Sequence, residues 1–233
     1  MEPIQGNVSI DAQNIMPIIK KWLYSDKDIF IREVVSNGCD AITKLRMVDS
    51  AAAQNCSIHV EVDKAARELR FIDDGVGMTE DEVKTNINQV AFSGAKSFME
   101  EYAKNEDQEN SGIIGHFGLG FYSVFMIADK VTIDTLSFRE GATPVRWESE
   151  DGMAFTMTEG TRATRGTTIT LHVSEAESEF LEVWRVREVL DRYCSFISVP
   201  LYLAEIKEEE AKVTGEGDHA EDKPEEKKEE PKP

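Results

Sequence analysis

The segment FIREVVSNGCDAITKLR, Phe30 to Arg46, carries two periodicities that a helix satisfies together. At about 100° per residue, Ile31, Val34, Val35, Ala41, Ile42 and Leu45 fall on one apolar face. Glu33, Asn37, Asp40 and Lys44 recur at i, i+4, i+7 and i+11 and form one polar stripe on the far side. Such a stripe, taken alone, is a solvated outer face. A carboxylate and an amide one turn apart can also activate a water and ligate a hard cation. Three other segments favour the second reading: Asp73-Asp74-Gly75-Val76-Gly77, Gly115-His116-Phe117-Gly118-Leu119-Gly120, and Arg165-Gly166-Thr167-Thr168.

The chain of 233 residues is long enough to bury one substantial core, expected over residues 1–204. From Glu205 the sequence turns into EIKEEEAKVTGEGDHAEDKPEEKKEEPKP, with almost no large apolar side chain. A segment like this cannot bury enough surface to offset its ordering entropy, so residues 205–233 are expected to be a charged, disordered linker. The formal charge of −19, about a third of it from this tail, argues against nonspecific binding of nucleic acid or anionic lipid. It does not exclude a nucleotide, because one cleft can be locally positive. Three widely spaced cysteines, Cys39, Cys56 and Cys194, suit a reducing compartment better than a disulfide framework. With no basic-then-apolar leader and no run of about 18 apolar residues, a cytoplasmic location without membrane contact is expected.

Asp11 to Tyr24 reads as a helix disturbed by Pro17, and Ser25-Asp26-Lys27-Asp28 as a cap for the helix that carries the stripe. Ser57 to Asp63 alternates like a half-buried strand, and Glu68 to Ile72 returns as its hairpin partner. A helical segment follows from Thr79, then a long polar stretch near Glu100 to Ser111, then a helix after Gly120. VTIDTLS, PVRWES, AFTMTE and TTITLHV read as consecutive strands with turns at Gly141, Gly152 and Gly160, and a helix from Phe180 to Phe196 closes the domain. Helices early and an antiparallel run late predict an α+β two-layer sandwich. His59, His172 and His219 belong to no metal-ligand spacing, and Trp22, Trp147 and Trp184 read as packing residues.

A DxGxG turn after a strand lets backbone approach a planar ligand while its carboxylate accepts from an exocyclic amine. The same turn can equally be a tight loop. Glycines at 115, 118 and 120 opening a helix expose successive N–H groups at a positive dipole end, where phosphate is the natural guest, although close packing explains them as well. Neither a P-loop nor a dinucleotide fingerprint is present.

In order and spacing, ExxxNxxDA on a helix, DxGxGMT after a strand, GxxGxGFYS opening a helix and GT starting a late strand resemble the ATP site of the GHKL superfamily. More closely, FIREVVSN, FSGAKSFMEEY and IIGHFGLGFYSVFMIADKV resemble the N-terminal domain of the heat-shock protein 90 chaperones of the bacterial HtpG type, from about Asn7 to Leu203. The resemblance implies the GHKL (Bergerat) sandwich, with a mostly antiparallel sheet and helices on one face, ahead of a middle domain. It implies ATP/ADP and Mg2+ as ligands, client proteins and co-chaperones as partners, and a homodimeric full-length protein.

It also implies roles. Glu33 matches the general base that orients the attacking water, and Asn37 the residue that holds magnesium. Asp40 and Lys44 continue that stripe into the nucleotide site. Asp73 matches the acceptor of the adenine amino group, supported through water by Thr167; Gly77 and Met78 line the adenine pocket, and Asn86 and Ile87 its ribose side. Gly118, Gly120 and Phe121 present phosphate-binding backbone, and roughly Ser93 to Gly120 corresponds to a mobile lid. The chain departs from the commoner pattern at Asp74, Asn88, His116 and above all Phe92, where many members have a phosphate-side lysine; Lys96 is a candidate substitute. Two alternatives stand beside an ATP-driven chaperone: a gyrase or mismatch-repair type ATPase, which the acidic balance fits poorly, and a nucleotide-gated binding module with little turnover.

Overall fold

The computed structural model describes residues 26–89 and 120–207. The expected helix at Asp11 to Tyr24, the lid residues before Gly120, Phe92, Lys96, His116 and Gly118, and the tail from residue 208 lie outside these residues.

Helix α1 spans Ile29–Val48, followed by the hairpin β1 (Ile58–Asp63) and β2 (Glu68–Asp73) and the short helix α2 (Glu80–Asn86). A 3-10 segment, Gly120–Met126, leads into β3 (Ala128–Leu136), β4 (Val145–Ser149), β5 (Thr156–Glu159) and β6 (Gly166–Val173). A second 3-10 segment (Glu175–Leu181), α3 (Val183–Tyr193) and β7 (Leu201–Ile206) complete the order. The strands form one seven-stranded sheet in the order β5-β4-β3-β6-β2-β1-β7. Every pairing is antiparallel except β1 with β7. This is the α+β architecture expected from the sequence.

Period-two alternation sets the register. Val60 pairs with Phe71, Phe71 with Ile169, Ile169 with Ile133 and Ile133 with Trp147, so one face of five strands carries an apolar row. That face is covered by α1 and the 3-10 segments: the Phe30 ring meets Phe71 edge-on at 6.3 Å and Phe180 at 5.1 Å. Phe30, Ile31, Ile42, Val60, Leu69, Ile133, Leu171 and Phe180 are fully excluded from water. Each such side chain contributes about 1.5–3 kcal/mol by burial.

Several local expectations are corrected. The stripe on α1 is not uniformly solvated: Asn37 is exposed, but Asp40 is 6% exposed and Lys44 half-buried, where the segment after β2 packs against the helix. Asp28 does not cap α1. The N–H groups of Phe30 and Ile31 go to the Lys27 and Asp28 carbonyls, and the buried Asp28 carboxylate pairs with Arg185 and with Arg192 at 3.1 Å. The stretch after Gly120 is a seven-residue 3-10 segment in which Phe121, Tyr122, Ser123, Val124 and Phe125 are all buried. The closing helix begins at Val183; Phe180 lies in the preceding 3-10 segment, and Phe196 lies beyond the helix and is exposed. Trp184 is 65% exposed, so among the described tryptophans only Trp147 is a core residue. Finally, β7 went unrecognised in the sequence. It pairs through Ile206 with Asp63, past the point at which the linker was expected to begin.

Candidate functional site

At the end of β2 the helix-covered face of the sheet changes from apolar to polar. Asp73 pairs with Thr167, and Thr167 with Thr135, so three polar side chains stand side by side on β2, β6 and β3. All three are buried. The hydroxyl oxygens of Thr135 and Thr167 are 3.1 Å apart, and the Thr135 hydroxyl donates to the Gly166 carbonyl at 3.1 Å. Because Thr135 has one hydroxyl proton, Thr167 is then the donor between the two. Thr135 also accepts from the Met78 N–H at 3.0 Å. The sequence reading did not single out Thr135. Its signal was a threonine at an inward position of VTIDTLS, in phase with Val131 and Ile133.

The segment after β2 is pinned from three sides. Gly75 N–H donates to the Asp73 carboxylate at 2.8 Å. Val76 N–H donates to the Ala41 carbonyl of α1 at 3.2 Å, and the Val76 carbonyl accepts from Phe138 at 2.7 Å. Gly77 has φ +61° and lies so close to the Leu136 carbonyl that a Cβ would collide with it. Only glycine meets both conditions. A capping box on α2 then fixes the exit: Thr79 N–H donates to Glu82 at 2.7 Å, and Glu82 N–H donates to the Thr79 hydroxyl at 3.3 Å.

Burial decides the electrostatics here. Desolvation pushes the Asp73 carboxyl up to about 7, against the Gly75 and Thr167 N–H groups and the Arg162 charge, which favour the ionised form. Burial likewise pulls the Lys44 ammonium below its ordinary range, with Asp40 opposing it. An acid poised near neutrality at the end of β2 thus stands beside a helix that carries a weakened ammonium.

The remaining expected residues fall along α1 and around its ends. Glu33 lies toward the start of the helix, its Oε1 accepting from Arg32 Nε at 3.1 Å. Its Oε2 lies against Gly120, where any Cβ would run into it. Asn37, one turn on, is exposed. Near Gly38 a side chain would stand 3.5 Å from Asp73 Cβ, which puts the β2 end directly beside the helix. Met78 and Asn86 are half-buried, and Ile87 is buried with its carbonyl accepting from the Tyr122 hydroxyl. The Phe121 ring is committed to the core, edge-on to Trp147 at 5.7 Å. Asn88, a departure from the commoner pattern, accepts from the Trp147 indole N–H at 2.8 Å and ties the end of α2 to β4. Asp74 points away from the site and accepts from the Ser57 hydroxyl at 3.3 Å. Glu33, Asn37, Asp40, Lys44, Asp73, Gly77, Met78, Gly120 and Thr167 thus border α1 and the polar sheet end that abuts it.

Among the described residues no cluster of three or more His, Cys, Asp or Glu side chains could hold a metal ion, and no helix is long and apolar enough to cross a membrane. The model of the histidine kinase-, DNA gyrase B- and HSP90-like ATPases matches residues 29–151. The chain is 43% identical over 209 residues to the chaperone protein HtpG of Porphyromonas gingivalis, covering 88% of this chain and 30% of that protein. It is 45% identical over 209 residues to HtpG of Bacteroides thetaiotaomicron, again 88% of this chain and 30% of the relative. With HtpG of Gluconobacter oxydans it shares 40% identity over 207 residues, 86% of this chain and 33% of the relative. The chain therefore spans about a third of the length of these relatives. The sequence motifs, the seven-stranded sheet and the match across α1, the β2 end and Gly120 agree: this chain belongs to the family of histidine kinase-, DNA gyrase B- and HSP90-like ATPases.

Proposed function

We propose that this chain is the nucleotide-binding domain of an ATP-dependent molecular chaperone, binding Mg-ATP and hydrolysing it slowly. The observation that carries the reading is the use of α1 as a ruler. Glu33 abuts Gly120 at one end, and the Asp73 segment docks at Gly38 and Ala41 further along. Five to eight helical residues separate them by roughly 8–12 Å, a span suited to a base at one end and a terminal phosphate at the other. Asp73 is the acceptor of the adenine amino group, backed by Thr167 and Thr135. Gly77 and Met78 line the base, and Asn86 and Ile87 flank the ribose. Asp40 and Lys44 complete the polar flank of α1, while Gly118, Gly120 and Phe121 offer backbone N–H groups to phosphate.

Glu33 accepts a proton from the attacking water at its free oxygen while Arg32 holds the other. Magnesium suits this donor set, because it keeps most of its waters and needs only one or two hard protein ligands beside the phosphates. Asn37 is the ligand proposed to hold it, and the ion supplies charge neutralisation on the triphosphate. Client proteins and co-chaperones as partners, a homodimeric whole protein, a cytoplasmic location, and a domain followed by a charged linker belong to the same proposal; the relatives' name as chaperones supports its client-binding part.

The test is Glu33→Ala in the full-length protein. ATP affinity is expected to stay within about twofold while turnover falls by about 10²–10⁴. A parallel collapse of binding and turnover would make Glu33 a ligand or a structural residue instead.

A further inference from the structure

One guanidinium reaches the end of β2 from far away in sequence. Arg162, in the β5–β6 loop, donates from Nη2 to the Asp73 main-chain carbonyl at 2.9 Å and to the Arg165 carbonyl at 3.3 Å. Its Nε donates to the Thr164 carbonyl at 3.0 Å, and its Nη1 to the Thr168 hydroxyl. All three guanidinium nitrogens are engaged, so the planar group is fixed in orientation. The loop has anchors besides this arginine. Thr161 is already held by Asp134, its hydroxyl donating at 2.8 Å, and Arg165 by the Ala52 carbonyl at 2.6 Å. What Arg162 alone among these reaches is Asp73. The chain leaves the sheet at Asp73, and its carboxylate accepts from the Gly75 N–H at 2.8 Å and from the Thr167 N–H.

We propose that Arg162 is a positioning residue for Asp73 that sets the preference for adenine over other purines. It fixes the carbonyl, hence the strand end, from which the carboxylate meets the base. The proposal rests on the reading of Asp73 as the adenine acceptor. A misplaced carboxylate costs the directional bond to the 6-amino group more than it costs stacking or phosphate contacts, which every purine nucleotide shares. Loss of Arg162 is therefore read in the ratio of two affinities rather than in either one.

The experiment is calorimetric titration of the 233-residue chain with ADP and with inosine diphosphate, which carries a carbonyl where adenine carries its amine. The wild type is expected to prefer ADP. Arg162→Ala should lose about tenfold of that preference, the size of one charge-assisted hydrogen bond, chiefly through weaker ADP binding. Arg162→Lys, which keeps a cationic donor but not the fork, should lose about threefold. Wild-type ADP:inosine diphosphate ratios in both variants, with the two affinities falling together, would overturn the proposal and make Arg162 a stability residue. Should the alanine variant fail to fold, a wild-type ratio in the lysine variant is sufficient to overturn it. A wild type without preference would overturn the Asp73 reading itself, and Arg162's role with it.

Discussion

On the helix-covered face of the sheet, Asp73, Thr167 and Thr135 stand on three neighbouring strands, none more than 9% exposed. On the opposite face, Asp63, Glu68, Arg70 and His172 occupy the alternate positions of β1, β2 and β6 and keep contact with water. The residue types are comparable, yet they behave differently. Outside, Arg70 Nη2 sits 2.6 Å from Glu68 and 3.1 Å from Asp63, with Glu61 at 3.7 Å from Nη1. Desolvation works against its charge, but these carboxylates outweigh it and raise its affinity for the proton. Inside, Asp73 has two backbone donors and one arginine in reach, and burial still wins. The lesson is that access to water, set by what lies above the face, decides which polar groups are poised for chemistry and which only keep a strand soluble.

Asp73→Asn should break the comparison most visibly. The amide accepts less well and donates where the base also donates, so ADP affinity is expected to fall at least 10–100-fold, about 1–3 kcal/mol, with the circular dichroism spectrum unchanged. Unaltered ADP affinity would remove Asp73 from the site.

The same carboxyl makes a pH signature. Its folded value, about 7, lies above the ordinary carboxyl value of 3.8, so the native state holds the proton more tightly. The stability it contributes is complete below about pH 4 and is lost as pH rises to about 7. The unfolding free energy of wild type relative to Asp73→Asn should therefore fall across that window, by on the order of 3 kcal/mol, and stay flat above it. ADP affinity should move the opposite way and strengthen between pH 6 and 8, because the ionised carboxylate is the better acceptor. A difference in stability that is independent of pH would show that the group is not desolvated.

Thr135→Val tests the network behind the carboxylate. It keeps the shape but leaves the Met78 N–H without its acceptor, so chemical denaturation should report a loss of about 1–3 kcal/mol and ADP binding should weaken less than in Asp73→Asn. The smallest effect is expected outside. Arg70→Ala should cost about 1 kcal/mol or less, shrink further in high salt, and leave ADP affinity unchanged. If Arg70→Ala destabilised more than Thr135→Val, the contrast between the faces would fail.

Much of this was legible in the chain. The hairpin Ile58–Asp63 with Glu68–Asp73, the run of β3 to β6, the helix start at Thr79 and the apolar side of α1 follow from local pattern and turn chemistry, and they appear where the pattern put them. The misses share a cause. β7 has few buried side chains and is a strand only because β1 offers it a parallel edge. The segment after Gly120 is 3-10 rather than α, and five of its seven residues are buried. Asp28 was spent on two arginines more than 150 positions away rather than on its own helix.

The sequence by itself determined most of the elements, the inward alternation of β1 to β6 and the place of Glu33, Asn37, Asp73, Gly77, Gly120 and Thr167 in one motif set. Periodicity and backbone restrictions act over a few residues, so they are written locally. Only the tertiary structure decided that the stripe on α1 is buried at Asp40 yet exposed at Asn37, that Asp73 titrates near neutrality, that Thr135 joins Thr167, and that Arg162 holds the Asp73 carbonyl from 89 positions away. Desolvation and long-range hydrogen bonds depend on which surfaces meet, and no local pattern carries that information.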